Sequence, residues 1–596
     1  MKIILLFIYL SMFFIMFFVQ KKHNKISLVE NIFITLVVFM CYISLSMFIF
    51  DKLSIHLNII NLIFCNLIVL FVEMIFLLKK NIQKISISKN NVIFLSIMFI
   101  ITISILFYTF GFKFDVSFYS PDAAAHFVSA RYFALSNNLN ANIGVINTQN
   151  YGDGFLFFFY TNLGIIYKIM PNISVIIQYY IFVIYNFIIF FGIGTGFYLL
   201  LNVINTKSKK CFVLKVFISL LFTLGLPLNV FLYGFSYWNT SILIIELILL
   251  IIAEYCDFMD YFSYLTLFLG LFGLFCSYSL FVPVIYFSVF FFLLKTCGGI
   301  KKIFTKKFLL IFLIVMFIPF VLGFTYFIFP ILFENGISGM SGLSLEGTIF
   351  IDIISNILLL IPISFYSILG KDKKDYLNNI FIYTIIYCFI IFALSLFGFI
   401  SGYYFSKTLI ILWLFVWYHF YKGMVKLCSN NKEFMILYFA LYLLLLLVSL
   451  TDLDEKIVSK NDVYNNSLIL NRIFSVYTRN CNYVKNPSKY FENNDLYVLE
   501  YIKVNNISNK NNELMYNGNY VQKRWFEVFT DKFPNIDYDG WLIQYKLPSS
   551  YTLWFSSNND YFVYDKRNKF IDFYEDDNLI SIKNSKNLVI KKKILK

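Results

Sequence analysis

The chain has 596 residues, of which 59% are hydrophobic, 21% are aromatic and only 14% are charged. A water-soluble protein of this size cannot bury so much apolar surface, so the composition excludes a soluble globular enzyme. The net charge of +15 does not predict a nucleic-acid partner, because many lysines lie in short loops between apolar segments. The nine cysteines are scattered and predict neither a disulfide framework nor a metal site.

Apolar segments that are long enough, or nearly long enough, to cross a bilayer recur from residue 3 to residue 450. They cover residues 3–19, 31–50, 57–78, 92–110, 173–203, 211–230, 240–253, 262–280, 281–295, 308–330, 348–370, 377–399, 408–420 and 433–450. We therefore predict an all-α polytopic membrane domain over residues 1–450, with about fourteen transmembrane helices. The first segment has no small-residue cleavage site after it, which favours a retained helix over a signal peptide.

Lysines in alternate loops predict which side of the membrane each loop faces. They cluster at residues 21–22, 79–89, 207–210, 301–307, 371–374 and 422–426, and the positive-inside rule places these loops in the cytoplasm. The long loop 111–172, the short loops 231–239 and 400–407 and the whole chain after residue 450 are then external. This pattern predicts a multi-pass protein of the cell membrane with an extracytoplasmic C-terminus.

The composition becomes polar at Thr451, and residues 451–596 contain no segment long enough to span a membrane. We predict that they form a small α/β domain in water. The pattern favours a helix over residues 495–504 and strands near residues 513–516, 541–546 and 560–565.

The long external loop contains a short predicted helix with polar residues on one face. Ser120 can cap the helix, Pro121 suits its first turn, and Asp122 lies where the exposed amides attract negative charge. At about 100° per residue, His126 shares the face of Asp122, whereas Arg131 points to the opposite side. A carboxylate and an imidazole at a membrane surface suggest chemistry there, and a capped surface helix is the alternative.

Further candidate residues lie in other external segments. Asp115 and Asp153 are acidic residues of the same long loop, and Lys407 follows Tyr403 and Tyr404 in loop 400–407. Lys407 provides a point charge that could bind a phosphate, or it extends to the lipid headgroups. The aromatic loop 233–239 suits either a membrane-interface belt or a sugar-stacking surface. Glu246 lies within a predicted span, which makes it a functional candidate by default.

With these residues in these positions, the chain resembles the C-type integral membrane glycosyltransferases (GT-C fold), which use polyprenyl-phosphate sugars. The resemblance rests on the many spans, a carboxylate in an early external loop and a soluble external domain at the C-terminus. It implies transfer of a sugar from a polyprenyl-phosphate donor to a cell-envelope glycan or lipid-linked acceptor, with inversion at the anomeric carbon. Four spans precede the loop where many members have one, and Asp122 stands alone where many have an acidic pair.

The resemblance also implies roles for individual residues. Asp122, or Asp115 as its partner, would be the catalytic base, and no cofactor is required, although a divalent cation between these two carboxylates stays open. The implied partners are the polyprenyl-phosphate sugar donor, the glycan or lipid-linked acceptor and membrane lipids, with no nucleic acid. The implied substrate-binding residues are His126, Arg131, Asp153, Tyr403, Tyr404 and Lys407.

Three other functions remain open on the sequence. A transporter or flippase of lipid-linked glycan precursors should show charged or Gly/Pro-broken segments in matching halves of the membrane domain, and few are present. A glycan polymerase or ligase that uses a diphosphate-linked oligosaccharide should carry more basic residues on its outer face. A simple membrane anchor would not need about fourteen spans.

Overall fold

The computed structural model is mainly helical, and it describes most of the chain. The described residues are 1–19, 27–78, 86–135, 153–170, 173–204, 209–254, 261–299, 303–329, 353–369, 376–450, 473–505, 507, 515–516, 520–530, 561–567 and 579–593. Within these ranges, ten helical segments are long and apolar enough to cross a membrane. The protein is therefore a multi-pass membrane protein with a small sheet near its C-terminus.

The membrane part follows the predicted apolar segments closely. Before the long loop come α1 (Lys2–Val19), α2 (Leu28–Lys52), α3 (Ile59–Leu78) and α4 (Lys89–Phe110), and the loop itself holds α5 (Asp122–Leu135) and α6 (Asp153–Ile169). After it come α7 (Val175–Val203), α8 (Lys209–Leu224), α9 (Leu226–Tyr233), α10 (Ser236–Glu254), α11 (Tyr261–Ser277) and α12 (Val282–Thr296). The last membrane helices are α13 (Lys306–Phe312), α14 (Ile318–Gly323), α15 (Ile353–Ile357), α16 (Ile361–Ile368), α17 (Tyr376–Leu396), α18 (Gly402–Asn430) and α19 (Lys432–Leu450).

Not every predicted span is a single regular helix. The segment predicted over residues 348–370 contains two short helices, α15 and α16, separated by a turn at residues 358–360. Pro362 lies in the first turn of α16 and, because it lacks an N–H, it favours a helix start there. Helices α13 and α14 are joined by a π-helical turn and form one apolar segment, Lys306–Ile328.

The predicted external loop 111–172 is built into the membrane domain through α6. The Asn162 side chain donates hydrogen bonds to the Met40 carbonyl (3.2 Å) and to Ser44 Oγ (3.0 Å), both on α2. Thr161 Oγ1 lies 3.0 Å from the same Ser44 hydroxyl. Buried polar contacts of this kind fix the position of α6 against the middle of α2, and α6 in turn supports α5.

The C-terminal region contains α20 (Ser475–Lys485), α21 (Asn493–Val504) and α22 (Tyr520–Thr530). Its strands are β1 (Met515–Tyr516), β2 (Tyr561–Asp565), β3 (Leu579–Asn584) and β4 (Leu588–Lys593), in the sheet order β1-β2-β4-β3. Strands β1 and β2 are parallel, whereas β4 pairs antiparallel with both β2 and β3. The predicted helix over residues 495–504 and two of the predicted strands are present. The strand predicted at 541–546 lies outside the described residues.

The first part of the C-terminal region is attached to the membrane helices. Asn480 of α20 donates hydrogen bonds to the carbonyls of Leu224 (2.8 Å) and Gly225 (2.7 Å), where α8 meets α9. A β-bridge joins Val116 of the long loop to Phe491. The hydroxyl of Tyr233, at the end of α9, lies 2.7 Å from that of Tyr483 in α20. The C-terminal region, the long loop and the α9–α10 turn therefore lie on the same side of the membrane domain. The short bridge between Ser27 and Ser86 joins two loops that the lysine pattern places on the opposite side.

Candidate functional site

The candidate site is centred on the first turn of α5. This helix begins at Asp122, and the Asp122 amide donates a hydrogen bond to Ser120 Oγ at 3.1 Å. The helix lies against the α9–α10 turn, where Gly234 has φ +80°. A Cβ at this position would lie 2.5 Å from the Ala123 Cβ, so only glycine permits such close packing. This contact holds Asp122 next to the aromatic residues that open α10.

Lys407 of α18 lies in a cluster of aromatic rings beside this turn. Its Nζ is 5.0 Å from the Trp238 ring centroid, 5.4 Å from that of Tyr278 and 5.9 Å from that of Tyr404. The side chain is almost fully buried, with 6% of its surface exposed. Ring faces at these distances stabilise the charged form of a lysine, which burial in a low-dielectric environment otherwise disfavours.

Asp122 is half-buried and feels the charges of two cations. Burial raises the pKa of its carboxyl, while Lys407, the Ser120 hydrogen bond and Arg524 of α22 act in the opposite direction. The net effect is a raised pKa. A carboxylate with a raised pKa accepts a proton more readily than a solvated aspartate, and the neighbouring cations favour its ionised form. The arrangement can therefore act as a general base beside fixed positive charge.

His126 lies one helical turn after Asp122 and is buried between aromatic rings. Its ring centroid is 5.4 Å from that of Tyr237 and 6.3 Å from that of Phe159. Neither ring nitrogen has a hydrogen-bond partner among the described residues. Burial lowers the pKa of His126 to about 3, so the imidazole is neutral at physiological pH. It can exchange a hydrogen bond with a substrate hydroxyl, but it cannot supply a positive charge.

Arg131 connects three elements of the fold. Its Nε donates to Gln178 Oε1 of α7 at 2.7 Å, and its Nη1 donates to the Val528 carbonyl of α22 at 3.1 Å. These contacts lie on the face of α5 that packs against the C-terminal region. Arg131 therefore links α5 to α7 and α22 by hydrogen bonds.

Asp115 contacts the start of α21. Its Oδ1 accepts a hydrogen bond from the Asn493 amide at 3.0 Å, and its Oδ2 lies 3.2 Å from Lys489 Nζ. The carboxylate thus occupies an N-terminal capping position of α21. These contacts join the long loop to the C-terminal region.

The remaining candidates are less well defined. Tyr404 is partly buried beside Lys407, whereas the side chains of Asp153, at the start of α6, and Tyr403, in α18, lie outside the description. Within the described ranges, no three His, Cys, Asp or Glu side chains are grouped closely enough to hold a metal ion. The cation suggested for Asp122 and Asp115 stays a hypothesis.

The sequence did not single out Arg524 or Tyr278, and it left the role of Trp238 open between an interface belt and a sugar-stacking surface. Arg524 belongs to α22, which was not predicted, although Val521, Trp525 and Val528 follow helical spacing. Trp238 lies in the aromatic loop singled out above, but nothing local indicates that Lys407 would lie over its ring.

No protein-family model matches the sequence, and a comparison with curated proteins finds no match. The residues of the site and their surroundings therefore carry the evidence for function.

Proposed function

We propose that the chain is a cell-membrane glycosyltransferase of the GT-C type, with its C-terminal region outside the cytoplasm. It would transfer a sugar from a polyprenyl-phosphate donor to a glycan or lipid-linked acceptor on the outer face. One observation carries this proposal: Asp122, a carboxylate with a raised pKa, lies within electrostatic reach of the buried Lys407 at the edge of the membrane helices. Such a pair supplies a base for an attacking hydroxyl and a charge for a departing phosphate.

The reaction follows from these two side chains. Asp122 removes the proton from an acceptor hydroxyl while the hydroxyl oxygen forms a bond to the anomeric carbon of the donor sugar. The bond between that carbon and the phosphate oxygen breaks, and the polyprenyl phosphate leaves with the electron pair. Lys407 stabilises the negative charge that develops on the leaving phosphate. Attack opposite to the leaving group inverts the configuration at the anomeric carbon.

The surroundings of the pair position its two side chains. Trp238 and Tyr278 are each only 1% exposed, so their rings support the Lys407 ammonium and do not offer a stacking surface. His126, on the same face of α5 as Asp122, is a neutral hydrogen-bonding group with unused capacity among the described residues. The lysine-rich loops of the sequence favour the opposite side of the membrane as cytoplasmic, which would leave this site outside.

A transporter or flippase is the second candidate, because α10 carries a buried carboxylate. Glu246 is fully buried, and neither of its carboxyl oxygens has a hydrogen-bond partner within the described part of the chain. Intramembrane carboxylates of this kind occur on substrate and proton pathways.

A glycan polymerase or ligase differs from the first proposal only in its donor, which would carry a diphosphate.

The experiment compares membranes that carry the wild type or Asp122→Asn, supplied with radiolabelled polyprenyl-phosphate sugars and a polyprenyl-diphosphate oligosaccharide. We expect the wild type to consume a monophosphate donor and the variant to be slower by about 100-fold or more, the usual contribution of a general base. Lys586→Gln, a change at an exposed lysine of the C-terminal region, is the control for expression and insertion. Consumption of the diphosphate donor alone would favour the polymerase or ligase. If the correctly inserted wild type consumes neither donor, the enzyme proposal fails and the transporter gains support.

A further inference from the structure

Tyr119, which directly precedes the start of α5, contacts both the membrane domain and the C-terminal region. Its backbone N–H donates to the Leu232 carbonyl at 3.1 Å, near the end of α9. Its hydroxyl donates to the Asn486 carbonyl at 2.9 Å and lies 3.3 Å from the Tyr483 carbonyl, where α20 ends. Its ring is stacked on that of Tyr483, with centroids 3.9 Å apart and planes at 25°. The main chain of Tyr119 is therefore held by the membrane domain and its side chain by the C-terminal region.

Three tyrosines from three segments form one cluster at this point. The carbonyls at the end of a helix have no partner within the helix, so the Tyr119 hydroxyl supplies a donor that the end of α20 needs. The Tyr483 hydroxyl lies 2.7 Å from the hydroxyl of Tyr233, at the end of α9. All three side chains are partly buried. This tyrosine cluster, made of Tyr119, Tyr233 and Tyr483, joins the long loop, α9 and α20.

The cluster lies next to the candidate base along the chain. Only Ser120 and Pro121 separate Tyr119 from Asp122. The ring of Pro121 restricts its backbone, and Ser120 Oγ accepts the hydrogen bond of the Asp122 amide at 3.1 Å. The connection therefore has little conformational freedom, and a displacement of Tyr119 would move the first turn of α5.

We propose that Tyr119 is a positioning residue for Asp122, and that the C-terminal region acts on the reaction by fixing the start of α5 through the tyrosine cluster. The catalytic part of this inference rests on the function proposed above. Tyr119 does not touch the reacting atoms; it holds the turn that carries Asp122 in place relative to Lys407 on α18. Alignment of a base with a leaving group is sensitive to small shifts, since a displacement of about 1 Å can change a rate about 100-fold.

The first test separates kcat from KM in Tyr119→Phe, which keeps the stacked ring and removes only the hydroxyl. Asn486 is exposed, so water can hydrate its carbonyl and the thermal midpoint should stay close to that of the wild type. We expect kcat to fall by about three- to tenfold and KM for the donor to stay within about twofold. Tyr119→Ala also loses the stacking and should fall further. Tyr497→Phe, at a tyrosine of α21 that is 55% exposed, is the matched control and should keep the wild-type kcat.

The pH–rate profile distinguishes positioning from a loss of folded protein. Burial is the largest cause of the raised Asp122 pKa, and a loosened first turn would admit water to this carboxyl. The acidic limb of the profile should therefore move to lower pH in Tyr119→Phe, while Lys407 and Arg524, which also act on this pKa, are unchanged. A smaller folded fraction would lower the whole profile and leave its midpoint in place. A lower kcat with an unchanged midpoint would overturn the proposal.

A labelling experiment tests the same contact without sugar transfer. Asp122→Cys places a thiol at the candidate position, and its alkylation by a water-soluble maleimide is followed for that peptide by mass spectrometry. Adding Tyr119→Phe should speed alkylation by about three- to tenfold, whereas adding Tyr497→Phe should not. Equal rates with and without Tyr119→Phe would show that Tyr119 does not position residue 122, and the proposal is wrong. Faster labelling in a protein whose wild type transfers no sugar would support the contact and refute the proposed enzyme.

Discussion

Replacement of Asp115 by alanine should loosen the C-terminal region from the membrane domain. The carboxylate accepts a hydrogen bond from the Asn493 amide at 3.0 Å, and a hydrogen bond to a charged group contributes about 1.5–3 kcal/mol. The ion pair with Lys489 adds little, about 0–1 kcal/mol, because the lysine side chain is 46% exposed. A loss of about 2–3 kcal/mol raises the population of the detached state roughly 30- to 150-fold.

Hydrogen–deuterium exchange of purified full-length protein measures this change. Peptides from α21 should exchange faster in Asp115→Ala by roughly that factor, because local opening limits their exchange. Lys489→Gln removes only the half-exposed partner and should speed exchange by less than about fivefold. If α21 in Asp115→Ala exchanges within about threefold of the wild-type rate, Asp115 does not hold this interface and the reasoning is wrong.

Three further predictions concern the site and the core. Transfer needs ionised Asp122, whose pKa is raised by burial, so the rate should fall on acidification at a higher pH than an ordinary aspartate would give, and a pH–rate profile checks this. Asn480→Ala removes the hydrogen bonds to the Leu224 and Gly225 carbonyls and the acceptor of the buried Asn229 side-chain amide, and it should cost about 2–3 kcal/mol, measured by thermal unfolding in detergent; an unchanged midpoint would contradict the docking role of α20. In Gly196→Ala, the new methyl group would collide with the Glu246 carboxyl and lie 2.6 Å from the Phe33 ring, which should cost about 1–3 kcal/mol. Gly192→Ala, which meets only a flexible leucine methyl at 3.1 Å, should cost less, and equal losses would refute the packing argument.

The membrane helices could be predicted because their signal is local. The apolar segment predicted over residues 92–110 forms most of α4. The helix ends at Phe110, and the next residue, Gly111, adopts φ +69°. The segment 408–420 was predicted too short, since α18 continues to Asn430 through polar residues. Those residues are paired against neighbouring helices: Lys422 donates a hydrogen bond to Asn378 Oδ1 at 2.8 Å, and Lys426 donates one to the Tyr366 carbonyl at 3.2 Å. Hydropathy counts such residues as breaks, although their hydrogen bonds offset the penalty of burial.

The start of α5 was also predictable, because the order Ser120, Pro121, Asp122 is a local helix-start pattern. The aromatic environment of Lys407 and the electrostatic effect of Arg524 on Asp122 could not be predicted. Both depend on contacts between residues that are far apart in the sequence. For the same reason, the boundary predicted at residue 450 missed that α20 packs onto the membrane helices. Strand β4 was not predicted, because its three lysines break the alternation of apolar and polar residues that indicates a strand. In the structure it is nevertheless paired on both sides, with β2 and β3.

We propose that Asp122, and not Asp115, is the base of a sugar transfer. The most direct measurement is the initial rate of transfer from a polyprenyl-phosphate sugar by Asp122→Asn and Asp115→Asn at equal protein levels in the same membranes. Asp122→Asn should transfer about 100-fold more slowly, or slower still, because it lacks the base. Asp115→Asn should keep a rate within about fivefold of the wild type, because an asparagine oxygen still accepts the hydrogen bond of the Asn493 amide. Normal transfer by Asp122→Asn together with loss in Asp115→Asn would show that Asp115, and not Asp122, is the base.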